Sequence, residues 1–377
     1  MNSIKNKEKN MYDYLDYNAT APIHKSVVDN IQNYPQGNPS SVHTVGKQAL
    51  KQVNITSKYL FKTFNLNDKR FNLFYHSGAT EGINTILGQI KDSKGTLVYS
   101  EADHPAVLST AYILETNGVK TFKLNLDNLG QVIELENLLK NISNEQEIWV
   151  NITWMHNETG VVQDLRALAD LKKKYRFYIH VDAVQSVGKV KDWSLLSSDI
   201  DAYTFSGHKF GALKGIGFSF ISKDLQLKPL IVGGSQQKGL RSGTVNTHGI
   251  LSLLDALKAE VATVSGEKIL EFKNKLIDIL KTNNQITLIE NDSFNTICFL
   301  HHTKNADEML IHFDLADLCV SSGSACSAGS VEESKTLLEM GYKDLAKNSI
   351  RISLGYENLN HKERIISKLE KVLTKLS

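Results

Sequence analysis

Ser206-Gly207-His208-Lys209-Phe210-Gly211 is the stretch whose reading decides the fold. Its lysine follows a short apolar run, Ala202, Tyr203 and Phe205, and is followed by Gly211, Gly215 and Gly217. Upstream, Asp182 ends a second apolar run, Tyr178-Ile179-His180-Val181. Short apolar runs bounded by glycine read as buried strands, so both charged groups are expected at strand ends. Singly, each reads as an ordinary solvated side chain, because Lys and Asp are mostly exposed. As a pair they are a lysine able to form a Schiff base and an acid able to hold a pyridinium nitrogen. Pyridoxal 5'-phosphate (PLP) requires those two groups of a protein.

Outward from this stretch, strand and helix patterns alternate, the sign of a parallel sheet covered by helices. Expected strands are 71–75, 96–99, 121–124, 148–152, 178–181, 202–205 and 217–221, a mostly parallel seven-stranded sheet in an α/β fold. Helices are expected at 45–64 and 165–175, the latter from Leu165, Leu168, Leu171 and Tyr175 at helical spacing. A long helical region, 247–282, with a break near Ser265-Gly266, leads into a smaller α+β domain. That domain reads as strands 287–289, 297–300, 318–320 and 350–354 with helices 307–313 and 361–376. The expected organisation is a large domain at 15–255 and a small one at 256–377, with segment 15–45 packing against the small one. Residues 1–14 read as a loose polar tail.

The 377 residues suffice for one large and one smaller core. With 41% hydrophobic and 22% charged residues the chain has the composition of a soluble protein. A formal net charge of +2 gives no reason to expect nucleic acid or a membrane surface as partner. No apolar run reaches the roughly 18 residues of a membrane span. The N-terminal charges have no apolar stretch after them, so no signal peptide is expected. Cys298, Cys319 and Cys326 make neither a disulfide framework nor a metal-finger spacing. A reduced, cytoplasmic protein without a metal site is the expectation.

Further candidates gather around the lysine and the aspartate. Ser77-Gly78-Ala79-Thr80-Glu81 sits between a strand and a helix, where amides and the Thr80 hydroxyl make an anion site or a plain helix cap. Ser206 and His208 are further groups able to reach a phosphate. His104, after the strand ending at Ser100, is placed to stack on a planar ring and move protons, or simply to start a helix before Pro105. Asn157 and Gln185 each read as a cofactor-facing amide or as turn and cap chemistry. Arg351 alternates with apolar residues in a strand and suits a two-pronged carboxylate clamp or a structural role. Ser321-Ser322-Gly323-Ser324-Ala325-Cys326-Ser327-Ala328-Gly329-Ser330 reads as a mobile exposed loop, which makes Cys326 a candidate nucleophile. Cys298 and Cys319, within apolar strands, read as buried and inert.

Asp182-Ala183-Val184-Gln185-Ser186, Ser206-Gly207-His208-Lys209, Arg241-Ser242-Gly243-Thr244, Ser321-Ser322-Gly323-Ser324-Ala325-Cys326 and Ser349-Ile350-Arg351 together resemble the cysteine desulfurases of the NifS/IscS type. These belong to the class-V branch of fold-type I PLP enzymes. The resemblance runs from about Tyr14 to the C-terminus and includes Leu15-Asp16-Tyr17-Asn18-Ala19-Thr20 and Gly37-Asn38-Pro39-Ser40. It implies that Lys209 carries the cofactor, that Asp182 pairs with the ring nitrogen and that His104 stacks on the ring and moves protons. It further implies that Gln185 bonds the phenolic oxygen, and that Ala79, Thr80, Ser206 and His208 lie at the cofactor, the last three on its phosphate. Thr244 reaches the phosphate of a neighbouring subunit, which implies a homodimer. Arg351, Asn157 and Asn38 hold the carboxylate of L-cysteine, and Cys326 accepts its sulfur as a persulfide, leaving alanine. The implied partner is a sulfur-acceptor protein, a cluster scaffold or a tRNA-thiolation enzyme. A selenocysteine lyase or an aminotransferase of the same class is the alternative; it keeps Lys209 and Asp182 without needing Cys326.

Overall fold

The computed structural model describes residues 12–93, 95–142, 147–262, 265–323 and 333–377. Its first element corrects the expected loose tail at residues 13–14, whereas residues 1–11 lie outside the described residues. Strand β1, Asp13–Tyr14, pairs in parallel with Leu318–Cys319 near the other end of the chain. Asp13 is buried, with Arg364 at 2.5 Å and Lys368 at 2.9 Å. Burial alone raises a carboxyl, but these two cations hold that of Asp13 below its ordinary range. No local pattern announces a strand whose partners lie more than 300 residues away.

Among the described residues, eight strands form the large sheet: β2 (Phe71–His76), β3 (Thr96–Ser100), β4 (Lys120–Leu126), β5 (Val132–Ile133), β6 (Ile148–Thr153), β7 (Tyr178–Asp182), β8 (Ala202–Ser206) and β9 (Gly217–Ser222). Their order is β2-β9-β8-β7-β6-β3-β4-β5. The run from β8 to β4 is parallel; β9 is antiparallel to both its neighbours, and β5 is antiparallel to β4. The seven expected strands are all present, and β5 is the addition. It is only two residues long, too short for any periodicity, and is delivered by a turn in which Asp127 Oδ1 accepts the N–H groups of Leu129 and Gln131. Strands β3, β6, β7, β8 and β9 are buried almost throughout, as strands covered on both faces must be. Strand β4, near the edge, is mostly exposed.

Helices Thr44–Thr63 and Thr247–Ala262 pack on one another beside this sheet. The expected long helix at 247–282 is two helices, the second spanning Ser265–Leu280, with residues 263–264 outside the described set. A smaller antiparallel sheet follows, from β10 (Ile286–Ile289), β11 (Thr296–His301), β13 (Ser321–Ser322) and β14 (Ser349–Ser353), in the order β10-β11-β14-β13. The expected strand 318–320 is β12 (Leu318–Cys319), which pairs with β1 rather than joining the small sheet; β13, just after it, joins that sheet.

Four apolar clusters result among the described residues, two of them larger than the rest. One gathers Val27, Phe64, Phe205, Phe218 and Phe220 with residues as far as Leu257. The other gathers Leu15 with Phe272, Phe299, Phe313, Ile350 and Leu369. Leu15 ties the N-terminal segment to the second core, whereas the helix Lys25–Asn30 lies against Thr247–Ala262. Among the described residues no helix is long and apolar enough to cross a membrane.

Candidate active site

In an open α/β sheet, a crevice forms beyond the carboxyl ends of the parallel strands. Here a cavity of about 650 Å3 lies there, touching Thr153 at the end of β6, Asp182 at the end of β7 and Ser206 at the end of β8. Lys209, Gln185, His104, Ala79, Thr80, His208, Asn157 and Arg351 also line it. Segments spread from position 79 to position 351 thus meet at one site.

Lys209 stands in a single 3-10 turn, Gly207–Phe210, that ends in a left-handed Gly211 at φ 84°. Its Nζ donates to the carbonyls of Asn18 at 2.7 Å and Ala19 at 2.9 Å. Asp182 is buried and accepts the Val184 N–H at 3.1 Å. Burial pushes its carboxyl up to about 6, against the pull of Lys209. A cation placed against Asp182 relieves that penalty.

His104 caps the helix Pro105–Thr116, its Nδ1 accepting the Ala106 N–H at 3.1 Å. Enclosure by the cleft, then the charge of Lys209, keep its imidazole below its ordinary pKa. His208 meets Thr20 Oγ1 at 3.1 Å, and desolvation together with three lysines lowers it to about 4. Both rings are therefore neutral at neutral pH.

The helix Ala79–Leu87 opens onto the cleft. Its first amides have no partner within the helix. Gly78 is its N-cap and no side chain caps it, so the alternative of Ser77 as cap does not hold. Glu81 instead reaches back to the Ser77 N–H at 2.8 Å and receives Arg241 Nε at 2.9 Å, which ties the glycine-rich loop to this helix.

Arg351 is buried in the middle of β14. Its Nη1 donates to the Asn157 carbonyl at 3.1 Å and its Nη2 to Asp16 Oδ1 at 2.6 Å, while Nε has no partner among the described residues. A buried guanidinium with an unused donor is incomplete as it stands, and a carboxylate is a group able to complete it.

Two of the expected residues stand apart. Asn38 is exposed, and its Oδ1 accepts the Ser40 N–H at 2.9 Å. Thr244 is exposed and does not line the cleft of its own chain. Cys326 lies outside the described residues. Gly323, three residues before it, does line the cleft, and a Cβ there would stand 2.8 Å from Glu158 Oε2. Of the other cysteines, Cys298 is buried and its thiol is pushed up to about 12 by desolvation. Cys319 is half-buried rather than sealed, and burial plus Asp314, Asp13 and Asp317 raise its thiol.

Sequence reasoning missed Asn18, Asp16 and Lys189. Asn18 is almost fully buried and joins four regions. Its carbonyl receives Lys209 and Gln185, its Nδ2 donates to Asn157 and Thr296, and its N–H donates to Ser353 Oγ. The one available signal was its place in Leu15-Asp16-Tyr17-Asn18-Ala19-Thr20.

The residues present fit PLP. Lys209 can carry it, and Asp182 offers a desolvated carboxyl for the ring nitrogen. His104 offers a ring to stack, and the start of the helix Ala79–Leu87 with Thr80, Ser206 and His208 offers phosphate donors.

Comparison with known proteins agrees. The Aminotransferase class-V family model matches residues 13–363. The cysteine desulfurase IscS of Dictyoglomus turgidum is 32% identical, over 95% of this chain and 95% of that protein. Among solved structures, a NifS-like protein superposes with a TM-score of 0.87 at 29% identity, covering 97% of this chain and 99% of the other. A structure described as SspA in complex with cysteine gives 0.77 at 27% identity, covering 90% and 98%. The chain belongs to the class-V aminotransferase family, and within it to the PLP-dependent cysteine desulfurases of the NifS/IscS type.

Proposed function

We propose that the chain binds L-cysteine in this cleft, moves its sulfur to Cys326 as a persulfide and releases L-alanine. The sulfur then passes to an acceptor protein of cluster assembly or tRNA thiolation in the cytoplasm. The observation that carries this reading is the meeting of Lys209, Asp182 and Arg351 in one cavity whose wall includes Gly323. Cys326 follows Gly323 by three residues in the sequence. The cysteine-bound structural relative supports the substrate.

When bound, PLP supplies a sink for the electron pair left at the substrate Cα. The chain's own residues do the rest. Arg351 takes the substrate carboxylate, with Asn157 alongside, and so aims Cα and Cβ across the cleft. Lys209, once free as an amine, moves the proton at Cα. His104, neutral in the resting site, can take a proton and return it. Asp182, buried and anionic, holds a positive charge at the ring nitrogen. Cys326 attacks as thiolate, the form that reacts with sulfur. The substrate's Cβ–S bond breaks and an S–S bond forms at Cys326. L-cysteine plus thiol yields alanine plus persulfide, so no outside oxidant or reductant is consumed. Thr244, exposed on its own chain, completes the phosphate site of a second subunit in a homodimer.

Cys326→Ser tests this reading. The variant should bind PLP and L-cysteine as the parent does, yet lose persulfide formation and nearly all alanine release. Mass spectrometry after a brief pulse of L-cysteine should place the added sulfur on the Cys326 peptide. Sulfur on Cys319 instead, or unchanged turnover in the serine variant, would refute the mechanism.

A further inference from the structure

Behind the cleft lies a lysine that the chemistry above does not use. Lys189 is 6% exposed, and its Nζ donates to Gln185 Oε1 at 2.6 Å and to Asn18 Oδ1 at 3.3 Å. It follows Gln185 by four residues, about one turn, which brings the two side chains side by side. The other end of the Gln185 amide, Nε2, donates to the Asn18 carbonyl at 2.8 Å, the same oxygen that receives Lys209 Nζ at 2.7 Å.

This arrangement removes an ambiguity that an amide ordinarily has. A carboxamide can present either its oxygen or its NH2 group to a neighbour. Lys189 Nζ donates to the oxygen end of the amide, and held as an ammonium it has three donors and no acceptor, which excludes the flipped amide. The NH2 group is thereby turned to the cleft side. It has two protons, and the Asn18 carbonyl takes one of them. A charged donor on the oxygen also polarises the amide and strengthens its N–H groups as donors.

We propose that Lys189 is a positioning residue that fixes the Gln185 amide with its NH2 group toward the cofactor and so sets the proton affinity of the Lys209–cofactor linkage. This rests on the placement of the PLP ring beside Gln185. The direction of the effect follows from two contributions of like sign. An N–H held on the ring's phenolic oxygen disfavours protonation there. A second cation near Lys209 disfavours a positive charge on the linkage.

The surroundings of Lys189 leave its charge poorly offset. Lys209 and Arg351 repel it, whereas Glu260 and Asp16 attract it, none of them within ion-pair contact of it among the described residues. Burial, followed by these two cations, holds Lys189 well below its ordinary pKa. A cavity of about 40 Å3 beside it, shared with Lys209 and Glu260, is also lined by Tyr17, His24 and Tyr356. It is large enough for a water molecule.

The test is a pH titration of the visible absorption band of the purified holoenzyme, which reports protonation of the linkage without turnover. Lys189→Met should raise the titration midpoint by about one unit, a tenfold change in proton affinity. Lys189→Arg should restore most of the parent midpoint. Should the Met variant not fold, Lys189→Gln, also neutral but polar, should show the same upward shift. In a Gln185→Ala background, the Lys189→Met shift should shrink to the small remainder due to charge alone. A Lys189→Met enzyme that titrates with its parent would overturn the proposal, as would an equal shift with and without Gln185. A parent with no visible cofactor band would instead overturn the cofactor reading on which the proposal rests.

Discussion

Arg351 Nη2 lies 2.6 Å from Asp16 Oδ1, so the carboxylate that steadies the buried guanidinium comes from the N-terminal segment. Nη1 donates to the Asn157 carbonyl, and Nε has no partner among the described residues. Asp16 thus orients the side chain, which also lines the cleft.

From that pairing we expect Arg351→Ala to raise KM for L-cysteine by about 10- to 100-fold, the loss of one or two charge-assisted hydrogen bonds. The same variant should handle cysteamine, which has no carboxylate, about as poorly as the parent does. Steady-state kinetics with both thiols checks this. An equal loss on both would assign Arg351 to structure rather than to substrate.

Three lysines stand close enough to compete for the cofactor: Lys209, Lys214 and Lys189. Lys189 is engaged by Gln185 and Asn18, and Lys214 is exposed at the rim. Borohydride reduction of the holoenzyme followed by peptide mapping should place the pyridoxyl group on Lys209. Label on either neighbour would contradict the assignment.

Glu158 accepts Ser334 Oγ at 2.5 Å, and burial raises its carboxyl from 4.5 to about 7. A carboxyl with a folded-state pKa above its unfolded value stabilises the fold fully below the unfolded pKa. That contribution is lost as pH rises through the folded pKa. Glu158→Gln keeps the acceptor and removes the titration. Relative to the parent, the variant should therefore gain stability between about pH 5 and pH 8. The gain should be about 1 kcal/mol, kept small because the side chain is only half-buried and water screens it. Urea midpoints of both proteins across that range measure it, and parallel curves would count against the raised carboxyl.

The exposed position of Thr244 outside its own cleft predicts shared sites in a dimer. Thr244→Asp should repel the phosphate, and Lys209→Ala should abolish the covalent linkage. If Thr244 acts across the dimer, mixed dimers of the two variants place both lesions in one site and leave the other intact. Purified mixed dimers should then recover about half of the parent's bound PLP and activity. No recovery would place Thr244 in its own chain's site.

The sequence by itself determined the parallel sheet, because strands buried on both faces are written as short apolar runs between glycines and polar turns. It determined most of the cleft residues as well. Lys209, Asp182, His104 and Asn157 follow the carboxyl ends of such runs, and strand ends are where chemistry gathers in this architecture. Tertiary structure alone decided what depends on distant pairing. Asp13–Tyr14 is a strand only because Leu318–Cys319 offers an edge and Arg364 and Lys368 offset a buried charge. Val132–Ile133 is a strand only because a tight turn returns it to β4. Apart from the place of Asp16 and Asn18 in Leu15-Asp16-Tyr17-Asn18-Ala19-Thr20, Asn18, Asp16 and Lys189 have no local signature, since an amide, a carboxylate and an ammonium read as surface groups until folding encloses them. Their roles arise from hydrogen bonds that cross up to 335 positions of chain, as between Asn18 and Ser353. A pattern confined to neighbouring residues cannot encode which distant group will satisfy a buried donor, and only the folded chain settles that.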